Sequence, residues 1–267
     1  MEYEILVRLG VFLTLFAGLA SAESLLPRRR RSLPRTGRWT TNIGIVVLDS
    51  LTLQLMAIVM PLLAVGAAID AAGKGWGLFN HLDWPLWLEV LIVVVGLDFV
   101  IWGQHAIMHK IPILWRLHRV HHADRDVDVT TAVRFHPVEI ALSMIIKIGC
   151  VYALGPQAIA VILFEVMLNG MAMFNHANLR IPPRLETWLR LIVVTPDMHR
   201  VHHSIHRPEH DTNFGFSLSV WDRLFGTYTP EPADGHESMT LGLKWQNDAP
   251  ARLGWSLMLP FRRDNSR

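Results

Sequence analysis

The sequence predicts an all-α fold: a multi-span transmembrane helical bundle with a cytoplasmic, histidine-rich helical cap that holds a dinuclear metal site. Three observations predict it. Hydrophobic residues make up 51% of the 267-residue chain and charged residues only 18%, with a mean hydropathy of +0.28; a soluble domain carries about a quarter charged residues. The apolar residues run in four blocks, roughly 5–22, 42–70, 86–108 and 137–175, long enough for the ~20 helical residues that cross a bilayer. Of the 14 histidines, eight fall in two short windows, 105–122 and 199–203.

The first block reads as an uncleaved helix. Ala20-Ser21-Ala22 resembles a signal-peptidase site, but Glu2 and Glu4 precede it with a single arginine, whereas a signal n-region is positive. Arg28–Arg31 follow directly and place that helix end in the cytoplasm. The same positive-inside rule puts the 71–85 loop outside and the 109–136 loop, with Lys110, Arg116, Arg119, Arg125 and Arg134, inside. The fourth block is too long for one span. Leu154-Gly155-Pro156 turns it into a helical hairpin that returns to the cytoplasmic side. Beyond residue 176 the chain is more polar, with helical segments near 184–195 and 197–206 and a loop-rich tail. Every histidine-rich segment then lies on the cytoplasmic side.

A net charge of +2 is too small to argue for nucleic acid, and one cysteine, Cys150, excludes an internal disulfide and a cysteine-rich zinc site. The histidine spacing carries the chemistry. His105 and His109 share one helix face at i, i+4; His118 shares one with His121 and His122, and His-Arg-Val-His-His recurs at His199, His202 and His203. Eight imidazoles in three clusters are more than one metal binds, so two metals are expected. Imidazole suits iron, zinc and copper alike; location beside apolar helices, with access to lipid C–H bonds, favours a redox metal and O2. Isolated His81, His206, His210 and His236 read as surface residues.

These residues resemble the fatty acid hydroxylase / sterol desaturase superfamily, whose pattern is HxxxH, HxxHH and a late HxxHH. The resemblance runs from about Leu97 to Tyr228, supported by Arg134-Phe135-His136-Pro137-Val138-Glu139, Asn175-His176-Ala177-Asn178 and Trp221-Asp222-Arg223-Leu224-Phe225-Gly226-Thr227. It implies N-terminal transmembrane helices and a linker over 1–85, a catalytic domain over 86–230 and a tail over 231–267. It also implies two Fe ions, O2 as co-substrate, a lipid substrate, and electrons reaching the site indirectly from NAD(P)H through a ferredoxin or cytochrome b5-type donor with its reductase. His176 is the implied ninth ligand; the tenth is open between His136, alternatively a hydrogen-bond donor behind a ligand, and water. Asp98, two turns before His105 on its face, is expected to accept the free N–H of a ligating imidazole. Glu165 is open between that task and plain burial. The expected activity is hydroxylation or desaturation of a sterol, fatty acid or ether lipid in a bacterial inner membrane. A zinc hydrolase lacks its HExxH box here, and a non-enzymatic metal-binding protein would want more intramembrane ionisable residues than Asp98 and Glu165.

Overall fold

The computed structural model describes residues 2–59, 63–244 and 247–262, and among these it is helical with no β-strand. Seven helices build the body: α1 (Glu2–Leu25), α2 (Arg35–Val59), α3 (Ala64–Lys74), α4 (Leu86–Lys110), α5 (Pro112–His122), α6 (Pro137–Leu154) and α7 (Ala158–His176). Two shorter ones, α8 (Pro183–Leu189) and α9 (Pro196–His202), lie in the polar part. Five helices are long and apolar enough to cross a membrane: α1, α2, α4, α6 and α7. The 42–70 block is thus not one element. It divides between α2, which already begins at Arg35, and α3, whose Ala64, Ala67 and Ala68 bury against Met144, Ile148 and Val151 of α6. Small side chains let those two helices approach closely.

The hairpin forms as expected. Gly155 ends α6 in the left-handed region at φ +61, a conformation open to glycine without a Cβ penalty. This turn packs on Gly77 of the α3–α4 loop, and Glu89 Oε1 accepts the Gln157 N–H at 2.6 Å. Because α4 and α7 both run away from this end, His105, His109 and His176 come together at the other.

That other end is tied by arginines. Arg38 of α2 grips Asp124 through Nε at 2.6 Å and Nη2 at 2.9 Å, and Asp128 through Nη1 at 2.9 Å. Burial raises the Asp124 carboxyl, but the Arg38 charge outweighs it and holds the group below the usual carboxylate range. Arg134 donates to Val120 O, Asn42 Oδ1, Pro250 O and Ser256 Oγ, all within 2.7–2.9 Å. Arg119 Nη2 donates to Leu259 O and Arg262 O at 2.8 Å. Residues 249–262 are therefore stitched to α5 by buried charge-assisted bonds.

Between Arg8 of α1 and Lys147 of α6, Glu165 of α7 forms ion pairs of 2.5 and 2.8 Å. Glu165 touches no imidazole of the histidine cluster: it joins three helices.

Candidate metal centre

The histidines arrive at the ends of the long helices α4 and α7 and on the short helices α5 and α9, His203 directly after the last. Pro112 opens α5, and its missing N–H costs nothing at a first turn. Pro196 opens α9, where Thr195 Oγ1 accepts the Met198 N–H at 3.3 Å. The α4 register sets His105 and His109 one turn apart. Nine imidazoles result, each at most 3% exposed, in two groups whose nitrogens lie within 4.8 Å of one another. The first comprises His105, His109, His118, His122 and His202; the second His121, His176, His199 and His203. The groups adjoin, the rings of His122 and His203 stacking at 4.6 Å.

Hydrogen bonds fix which nitrogen faces inward. Nδ1 of His105 meets Phe214 O, that of His202 meets Thr212 O, and that of His176 meets Ala172 O, each at 2.7 Å. A carbonyl only accepts, so Nδ1 carries the proton and Nε2 presents a lone pair. Nε2 atoms then face one another at 3.0 Å: His105 with His118, His122 with His202, and His176 with both His121 and His199. One lone pair on His176 cannot accept two protons. The second nitrogens of His121 and His199, and both of His203, are buried without a hydrogen-bond partner.

Cations among these nitrogens resolve the crowding of the facing Nε2 atoms and give His203 a partner for one of its nitrogens. The residues present fit metal binding: one group gathers five imidazoles and the other four, with ligand atoms within 4.8 Å of one another in each, a donor set that suits a transition metal. Burial also holds the ligands neutral, the form that binds metal. It pushes His118 down to about 3 and His121, His122, His199, His202 and His203 well below their usual range.

Three expectations are corrected. Asp98 accepts from Trp221 Nε1 at 2.9 Å and Leu218 N at 3.2 Å, not from an imidazole. The carboxylates that meet ligands are instead Glu139, whose Oε1 lies 2.7 Å from His118 Nδ1, and Asp211, whose Oδ1 lies 3.5 Å from His109 Nδ1. His136 belongs to neither group; its Nδ1 accepts the Val138 N–H at the start of α6 and its Nε2 faces Leu257 O at 3.3 Å. Third, His210 and His236 are not surface residues. The segments after α9 fold back over them, leaving 8% and 5% exposure; His210 stacks on Trp115 at 5.3 Å and, with Asp211, reaches His109. His81 and His206 are exposed as expected.

Asp222 holds the Phe214 carbonyl in place. Its carboxylate accepts from Phe214 N at 2.9 Å, Gly215 N at 2.7 Å, Thr227 Oγ1 at 2.6 Å and Trp102 Nε1 at 3.1 Å. The apolar side of the centre is closed by Phe135, stacked on His121 at 4.4 Å, and by Phe216, 5.1 Å from His105.

Comparison with known proteins agrees with this constellation. The model of the fatty acid hydroxylase family matches residues 90–227. The ornithine lipid hydroxylase OlsE of Rhizobium tropici is 28% identical over 227 residues, covering 83% of this chain and 67% of that protein. The alkylglycerol monooxygenase of Homo sapiens is 30% identical over 170 residues, 64% of this chain and 36% of that one. A fatty acid hydroxylase, vlmA, of a Lecanicillium species is 26% identical over 182 residues, 62% and 49%. The chain thus spans about two thirds of the first of these relatives and about one third of the second. No solved structure matches it. All nine converging imidazoles lie inside the matched span, which is just over half of the chain, and the chain belongs to the fatty acid hydroxylase family.

Proposed function

We propose that this integral-membrane protein is an O2-dependent monooxygenase that hydroxylates a C–H bond of a membrane lipid. The observation that carries the reading is the pair of adjoining, buried imidazole groups at the end of apolar helices. Iron held there supplies the O2-dependent redox chemistry that an unactivated C–H bond requires. The relatives named for an ornithine lipid, an alkylglycerol and a fatty acid support a lipid with a long alkyl chain.

The chain's own residues have identifiable tasks. His105, His109, His118, His122 and His202 would hold one metal, and His121, His176, His199 and His203 the other. Glu139 and the carbonyls of Phe214, Thr212 and Ala172 keep the Nδ1 protons in place, so that each Nε2 stays available. Phe135 and Phe216 keep water from the face on which an alkyl chain would approach. The single cysteine provides no iron–sulfur cluster, so two electrons per turnover come from an external ferredoxin or cytochrome b5-type donor. We place the centre on the cytoplasmic face of a bacterial inner membrane, where the basic 28–38 and 109–136 segments lie by the positive-inside rule.

The test is expression in a host without lipid hydroxylases under isotopically labelled O2. One labelled oxygen should appear in a host lipid and be absent with His121→Ala. Two zinc ions in anaerobically purified protein, with an O2-independent activity, would overturn the reading in favour of hydrolysis.

A further inference from the structure

We propose that Arg29 and Arg31 form a binding site for the anionic headgroup, a phosphate or carboxylate, of the lipid whose chain reaches the metal centre. This deepens the function proposed above and rests on it.

Arg29, Arg30 and Arg31 line a shallow, open cleft together with Asp126, Val127, Asp128, Asn178 and Leu241. Two of these arginines have unmet donors. Arg29 Nη2 is occupied by Met239 O at 2.6 Å, but Nη1 is buried with no hydrogen-bond partner. In Arg31, Nε and Nη2 are likewise buried and unbonded, and the ion pair to Glu23 is 3.8 Å long.

The acids nearby are already engaged. Asp126 accepts from Ser32 N and Leu33 N at 2.8 and 2.7 Å. Asp128 accepts from Arg38 Nη1 and Trp39 Nε1 at 2.9 and 3.1 Å. Glu23 takes Arg35 Nη2 at 2.9 Å and the N–H groups of Val129 and Asn178 at 3.0 and 3.1 Å. Asp197 and Glu237 serve Arg28. Buried guanidinium donors without acceptors are costly, and an oxyanion is the ligand that fits their planar fork.

The cleft is also in the right place. Asn178, two residues past His176, clamps the Arg29 backbone from both sides: Oδ1 accepts its N–H at 3.0 Å and Nδ2 donates to its C=O at 2.9 Å. Two residues span at most about 7 Å, so the Arg29 backbone is held near the end of α7 that carries His176. In the helices on either side of the arginine segment, Phe16, Leu19, Ala20 and Trp39 pack on the apolar cluster that also holds Met173 and Phe216. A lipid anchored by its headgroup on the arginines would offer the headgroup end of its chain to the metal groups. Oxidation then falls near the headgroup end of the chain.

The experiment is a native mass-spectrometry titration of the full chain in neutral maltoside micelles, without O2, electrons or turnover. The probes are dioleoyl phosphatidic acid, dioleoylglycerol and inorganic phosphate. Phosphatidic acid should bind, with dioleoylglycerol and phosphate alone far weaker. Arg29→Gln/Arg31→Gln should weaken phosphatidic acid about tenfold or more, the loss of a charge-assisted hydrogen bond, while Arg184→Gln, an exposed charge elsewhere, should not. Because Arg29 also holds Met239 O, Arg31→Gln alone is the variant to read if the double one misfolds; it should still lose affinity severalfold. Unchanged affinity in the folded variant, or equal binding of dioleoylglycerol, overturns the proposal. Equal binding of inorganic phosphate assigns the cleft to a soluble anion instead. None of these results depends on the oxygenase assay, so the two readings fail separately.

Discussion

Glu139 Oε1 lies 2.7 Å from Nδ1 of His118, and both side chains are buried. The bond crosses from α6 to α5 and ties the hairpin to the first metal group. Removing the acceptor frees the imidazole to rotate and to exchange tautomers. Such partners are typically worth about 10–100-fold in metal affinity. Glu139→Ala should therefore lose metal from the first group at correspondingly lower chelator concentrations. Glu139→Gln, which keeps an oxygen acceptor, should lose less. Metal stoichiometry after graded chelator dialysis checks both, and equal loss in the two variants would discount the hydrogen bond.

Stability of the metal-free protein should fall as the medium is acidified. Burial lowers the folded-state pKa of His118 to about 3, whereas an unfolded histidine titrates near about 6.5. Between those values the unfolded chain binds the proton and the folded chain does not, so stability rises with pH across that window and is flat above it. Each histidine in this condition contributes a slope of about 1.4 kcal/mol per pH unit, and His121, His122, His199, His202 and His203 shift in the same direction. Thermal unfolding in detergent after metal stripping measures it; a midpoint unchanged between pH 7 and pH 5 would contradict the buried neutral imidazoles.

Asp98→Ala should leave metal stoichiometry intact while lowering thermal stability. Its carboxylate holds Trp221 Nε1 and Leu218 N, so its loss loosens the segment after α9 rather than a ligand. Metal loss matching that of Glu139→Ala would reverse this assignment. The case shows what the sequence could convey. Spacing within one helix was legible: His105 with His109, and His118 with His121 and His122, fall into one site because a helical face is set by residue separation alone. Which carboxylate meets an imidazole depends on how α5 and α6 pack, and on where the 212–222 loop returns. Asp98 and Glu139 look equivalent on that count, since both are acids in apolar helices. The burial of His210 and His236 was hidden for the same reason. One signal was available for Glu139: it lies in the Arg134–Glu139 segment that the family resemblance had already singled out.

The far end of the bundle gives a test that leaves the metals alone. Gly77, at φ +92, sits where a Cβ would overlap the backbone of Leu154 and Gly155. No side chain rotation relieves that overlap, because the obstructing atoms are main chain. The positive φ adds the further strain that an L-residue meets there. Gly77→Ala must therefore push the α3–α4 loop away from the hairpin turn, and the Glu89–Gln157 bond of 2.6 Å lies along the same seam. The expected cost is about 1–3 kcal/mol from backbone strain, with overlap adding to it, read as a lower unfolding midpoint. Gly73→Ala, in α3 where a Cβ meets nothing within 4 Å, should instead be neutral or slightly stabilising. If both variants unfold at the wild-type midpoint, the close approach of Gly77 to Gly155 is wrong, and with it the account of how the hairpin is held so that α7 delivers His176 to the opposite end.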